Sequence, residues 1–129
     1  MLVIRKEQRE VFKDNQKQKF IKKTAVFLKK KYPEKTKVKT ESTLSELINS
    51  TIDKALDYTI ISENGVVAFL EFMFTLSLDF DSNPKTKWAQ DILTDTNLNE
   101  SNKIMLIINK IQINIENEIS ENSQREHDE

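Results

Sequence analysis

Val66-Val67-Ala68-Phe69-Leu70-Glu71-Phe72-Met73-Phe74-Thr75-Leu76-Ser77-Leu78 is the stretch whose reading decides the fold. Nearly every position in it is apolar. A helix that is apolar on all sides is usually the central one of a bundle, wrapped by its neighbours, or one that leaves a face for a partner. The run falls short of the ~20 residues needed to cross a bilayer, and Glu71 interrupts it, so no membrane contact is expected. Just upstream, the Ser62 hydroxyl can cap the helix and Glu63 suits the positive end of its dipole. The expected central element is therefore a helix over residues 63–78.

Around it the chain has one glycine, Gly65, and two prolines, Pro33 and Pro84, in 129 residues. A sandwich or barrel needs a turn every ~8–12 residues, so long helices joined by short loops are the economical reading. The fold class expected is all-α, a compact bundle of about five helices around the central one. A first helix over residues 6–31 carries the stripe Phe12, Phe20, Ile21, Thr24, Ala25, Leu28 and Tyr32, with lysines elsewhere. Pro33 stops it, and residues 34–41 read as a charged linker. Thr43 and Glu46 are spaced as a capping box opening a second helix. That helix buries Leu44, Leu47, Ile48, Ile52, Ala55 and Leu56 and ends near Asp57 or Tyr58. Residues 79–84 read as a turn. A short helix over 85–93 then buries Trp88, Ile92 and Leu93. A last helix over 99–119 presents Ile104, Ile108, Ile111, Ile115 and Ile119, with Met105 alongside. Residues 1–119 form one domain on this reading, and 120–129 a disordered polar tail.

The composition is 37% hydrophobic and 32% charged, enough for one core. With no cysteine, disulfides, thiolate metal sites and Cys nucleophiles are excluded. The opening residues lack the apolar run of about 7–15 that a signal peptide needs, which leads to an expectation of a cytoplasmic protein. Charge is polarised: residues 1–40 hold 14 Lys or Arg against 4 acidic residues, and residues 41–129 hold 6 against 17. Such asymmetry marks nucleic-acid or membrane contact in some chains; here a basic first helix beside acidic neighbours is the favoured account. Arginine is scarce (Arg5, Arg9 and Arg125), and no helix-turn-helix or stacking pattern stands out. A nucleic-acid-binding module on the lysine face is thus the third-ranked function.

Residues for catalysis are few. The single histidine, His127, has no second base or metal partner near it in sequence. Asp79-Phe80-Asp81-Ser82-Asn83 matches positions 1, 3 and 5 of a calcium loop. The match fails at Pro84, where glycine is wanted, and at Gln90, where a bidentate glutamate is wanted. An Asx-type turn is the plainer reading. No glycine-rich phosphate loop exists, so no enzyme, cofactor or metal site is expected.

Several features share one arrangement: Tyr58-Thr59-Ile60, Ser62-Glu63, Leu70 with Met73-Phe74, Asp79-Phe80-Asp81, Asn83-Pro84, Trp88-Ala89 and Ile92-Leu93. With Val3-Ile4-Arg5, Gln8 and the helix through Phe20 to Pro33, they resemble a family of small helical proteins encoded in bacterial type VI secretion clusters. The chain departs from that pattern at Thr59, where a glycine is expected, and at Asn83, where aspartate is common. Family members lie beside spike-tip proteins and toxic effectors. The resemblance therefore implies a non-enzymatic adaptor or chaperone-like accessory that binds a secreted effector or spike component. The alternative is an immunity protein that neutralises a toxin, with Glu116, Glu118, Glu121 and Asp91 as its acidic face. Candidate partner-binding residues are Tyr58, Asp79, Phe80, Asp81, Pro84 and Trp88, because aromatic groups on a proline-fixed loop make good interface anchors. A homodimer that covers the central helix is also open.

Overall fold

The computed structural model of the protein describes the backbone of residues 14–127 and the side chains of residues 15–120. The expected start of the first helix, residues 6–13, lies outside the described residues. Among the described residues every regular element is helical. They are α1 (Asp14–Lys31), α2 (Pro33–Thr36), α3 (Glu41–Asp57), α4 (Glu63–Thr75), α5 (Lys87–Leu93) and α6 (Glu100–His127), with a 3-10 turn at Pro84–Thr86.

The apolar run forms the centre. Val66, Phe69 and Leu70 on α4 are fully buried, and Phe72, Met73 and Phe74 nearly so. Ser62 caps the helix, its hydroxyl accepting from the Gly65 N–H at 2.9 Å. The helix ends at Thr75 and not at residue 78. The Leu76 N–H closes onto the Phe72 carbonyl at 2.8 Å, and the Lys35 ammonium donates to the Phe74 carbonyl. A cation there satisfies an orphan carbonyl and the negative end of the dipole together. Leu78 lies beyond this stop, exposed.

Lys35 belongs to the segment expected as a linker, which instead contains α2. Pro33 ends α1 and opens the next turn, since the first position of a helix needs no N–H. Thr36 is buried there, its hydroxyl donating to the Tyr32 carbonyl at 2.8 Å. The cap of α3 also differs from expectation. Thr40 is the capping residue, accepting from the Thr43 N–H at 3.0 Å, so the helix starts one turn earlier and the Thr43–Glu46 box is not formed. The α3 stripe Leu44, Ile48, Ile52, Ala55 and Leu56 is buried as expected, with Leu47 partly so.

Cross-contacts fix the helix directions. Lys23 meets Glu63 and Tyr32 meets Glu71, so α1 runs parallel to α4. Thr51 meets Met73 while the Tyr58 ring stacks on Phe69, so α3 runs antiparallel. Glu100 meets Ser62 while Ile108 and Ile111 approach Phe72 and Thr75, which makes α6 parallel to α4. On α5, Ala89 and Leu93 are buried; Trp88 and Ile92, expected to be buried, are half-covered against the core edge.

The last helix corrects the expected stripe. Ile107 is its fully buried residue and Ile104 and Ile111 are partly buried, while Ile108 is 41%, Ile115 48% and Ile119 60% exposed. The neighbouring helix α4 ends at Thr75, level with Ile111 and Gln112 of α6. Every described side chain from 112 to 120 is exposed. The backbone then stays helical to His127, past the boundary expected at 119, because residues 112–127 contain neither glycine nor proline.

Candidate functional site

The turn after α4 is built inward. Phe80 has no exposure; its ring meets Phe69 at 4.9 Å and Phe72 at 5.9 Å. Asp81 is also buried. Its Oδ2 accepts from the Tyr58 hydroxyl at 2.8 Å, and its Oδ1 lies 2.9 Å from the Lys54 ammonium. Burial, the hydrogen bond to Asp81 and that carboxylate's charge push the Tyr58 phenol up to about 12. Phe80 and Asp81 therefore hold the loop to the core and present no surface to a partner. This overturns their place among the contact residues. Pro84 and Asp79 are exposed, and Tyr58 and Trp88 keep only an edge in solvent.

Asp79 stays local. It accepts from Asn83 Nδ2 at 3.2 Å and from the Ser77 hydroxyl at 2.9 Å, and these bonds hold its carboxyl below the usual range. Asn83 Oδ1 takes the Lys85 N–H at 2.9 Å, and the Thr86 hydroxyl donates to the Phe80 carbonyl at 2.7 Å. Asp79 faces solvent while Asp81 faces the core, so the calcium-like oxygens do not converge. Among the described residues no group of three or more His, Asp and Glu could hold a metal ion.

Two polar groups escaped sequence reasoning. Lys103 is 3% exposed, its ammonium donating to the Tyr58 carbonyl at 2.9 Å and to Thr59 Oγ1 at 3.1 Å. Desolvation by burial lowers its pKa. It answers a carbonyl at the end of α3, where Thr59 has φ of 62°. There the Ile60 N–H bonds the Ala55 carbonyl at 2.9 Å and the Thr59 N–H bonds the Leu56 carbonyl at 2.8 Å. This is a Schellman ending, whose left-handed position ordinarily takes glycine. The one signal in the sequence was the departure from glycine at Thr59. The second group is Glu100, the first residue of α6. Its carboxylate accepts from the Ile61 N–H at 2.5 Å, the Ser62 N–H at 2.9 Å and the Ser62 hydroxyl at 2.8 Å, tying the starts of α4 and α6 together.

From that tie a groove runs along the seam of α4 and α6. One cleft, of about 410 Å³, is lined by Ser62, Gly65, Glu100, Ile104, Met105 and Ile108. A second, of about 290 Å³, is lined by Tyr32, Ala68, Glu71, Phe72, Ile108 and Ile111, among others. Ile108 belongs to both. The rim is polar: Glu71 accepts from the Tyr32 hydroxyl at 2.9 Å and pairs with the Lys31 ammonium. The hydrogen bond to Glu71 raises the pKa of Lys31, and burial foremost raises that of Tyr32. Glu71, the interruption in the central helix, thus has a place on the groove rim.

Fold and groove define a class: a small helical bundle whose last helix leaves part of its apolar side uncovered. No described helix is long and apolar enough to cross a membrane. Compared with protein-family models, curated proteins and solved structures, the chain matches none.

Proposed function

We propose that this protein is a non-enzymatic, adaptor- or chaperone-like accessory that holds an amphipathic helix of another protein in the groove between α4 and α6. The observation that carries this reading is Ile108, a large aliphatic side chain 41% exposed at the point where the two clefts meet. An apolar floor with a polar rim is the form taken by grooves that accept the apolar face of a helix. The likeness of residues 58–93 to proteins encoded beside type VI secretion spikes supplies the partner class, a secreted effector or a spike-tip protein.

The test is a parallel purification of the tagged protein and its Ile108→Glu variant from the native cells. A secretion component so recovered is then reconstituted from purified parts. An effector or spike-tip protein should bind the unaltered chain and be lost from the variant, while helicity and melting temperature stay the same. Identical binding by both chains would remove the groove as the site. Failure of every secretion component to bind would remove the proposed partner class.

A further inference from the structure

We infer that two copies of this chain pair by laying the free end of α6 from each copy on the basic face of α1 of the other. The inference goes beyond the proposed function and does not depend on it, since none of the side chains it uses lines the groove at Ile108.

The first surface is an arm. Residues 112–127 of α6 continue for about 24 Å at 1.5 Å per residue past the end of α4. Within it Ile113 is 50%, Ile115 48% and Ile119 60% exposed. Glu116 and Glu118 lie between them, and Arg125 is the single Lys or Arg from 111 onward. Exposed aliphatic side chains repeated along one free helix are costly in water unless something covers them.

The second surface mixes apolar and charged side chains as the arm's Ile115, Glu118 and Ile119 face does, with the opposite charge. On α1, Lys19, Lys22, Lys23, Val26, Phe27 and Lys30 are spaced by three and four and so share one helix face. All six are exposed, including Val26 and Phe27, which sit apolar among the ammonium groups. An acidic, isoleucine-bearing helix complements that face in both charge and hydropathy.

Within one copy the two surfaces do not satisfy each other. The buried side of α1 packs on α3, while the arm has left the bundle and its described side chains are all exposed. The whole-chain charge favours a second copy as the occupant. The basic residues gather in 1–40 and the acidic ones in 41–129, yet the net charge is only −1, so two copies attract pole to pole with little overall repulsion. Reciprocal placement of two arms on two α1 faces uses each surface once and closes the assembly at two.

A charge swap tests this. One variant carries Lys19→Glu, Lys22→Glu and Lys30→Glu, which leaves Lys23 as the one cation among three carboxylates and makes its α1 face acidic like its arm. The other carries Glu116→Lys and Glu118→Lys, which makes its arm basic like its α1 face. The unaltered chain should sediment at twice 15.1 kDa. Each variant alone should dissociate, its Kd rising by roughly tenfold or more. Mixed together they should form a heterodimer, because both reciprocal contacts are again between opposite charges. A monomeric unaltered chain at micromolar concentration overturns the inference, as does a dimer that survives in both variants. Two monomeric variants that fail to pair on mixing also overturn it, since misfolding would be separately visible in helicity and melting.

Discussion

Glu100 Oε1 lies 2.8 Å from the position that a β-carbon on Gly65 would occupy. The only glycine in the chain therefore sits where the start of α6 comes close to α4, one of the two parallel helices that form the groove. An alanine there would gain ~1 kcal/mol of helix propensity. Against this, the new methyl would also stand 2.7 Å from Ile60 Cγ2, an atom of the core, and 2.9 Å from Glu100 Cδ. Glu100 is held by its bonds to Ile61 and Ser62, so neither neighbour moves freely. Overpacking should win, and Gly65→Ala should lose about 1–3 kcal/mol in urea denaturation. A stabilised variant would show that the approach is not what requires glycine.

Thr59 invites the opposite substitution. A β-branched residue with φ of 62° carries strain of about 1 kcal/mol or more. Thr59→Gly relieves it and gives up the hydroxyl that takes Lys103 at 3.1 Å. Lys103 keeps the Tyr58 carbonyl at 2.9 Å, so the lost bond is the lesser of its two. The variant should be more stable by roughly 0.5–1 kcal/mol. A loss in stability, measured by thermal and urea unfolding together, would mean that Thr59 is kept for its bond to Lys103.

These two positions show what was legible and what was not. The central helix and its Ser62 cap could be read directly, because a nearly continuous apolar run and a capping hydroxyl act within a few residues. The end of that helix could not, because the Lys35 ammonium that closes it arrives from another element. Periodicity ranked Ile104, Ile108, Ile111, Ile115 and Ile119 as one buried stripe. Burial also depends on how far the neighbouring helix extends, and α4 stops at Thr75. For that reason the stripe's outer half, Ile115 and Ile119, is exposed. Aromatic residues on the turn were ambiguous in the same way. Phe80 turned inward, and the groove that now stands as the candidate site shares none of the six residues proposed from sequence.

Thr24 gives a prediction from an imperfection. It is buried on α1, and its hydroxyl has no hydrogen-bond partner among the described residues. Thr24→Val keeps the shape and removes the desolvated oxygen. It should stabilise the fold by about 1 kcal/mol, since valine and threonine have similar helix propensities. Stability unchanged or lowered in a denaturant titration would imply that the hydroxyl is satisfied in solution.

The Tyr58–Asp81 pair sets the behaviour at high pH. The phenol, pushed up to about 12 in the folded chain, returns to about 10 on unfolding. Below pH 10 it is protonated in both states and adds no pH dependence. Between the two values the folded state binds the proton that the unfolded state has released, so stability falls as pH rises, and above the folded value the fall levels off. Lys103 acts with the opposite sign over a lower range, because its folded pKa is depressed and its desolvation penalty fades as pH climbs toward 10.5. A Tyr58→Phe variant separates the two. At neutral pH it should lose about 1 kcal/mol, because Asp81 Oδ2 is left buried without its donor while Lys54 still faces Oδ1. Between pH 10 and 12 its stability should fall less steeply than that of the unaltered chain, and the two curves should converge. Parallel curves in urea titrations across that range would mean that Tyr58 does not hold its proton for Asp81, and that the loop is fixed to the core by Phe80 and the Lys54–Asp81 pair.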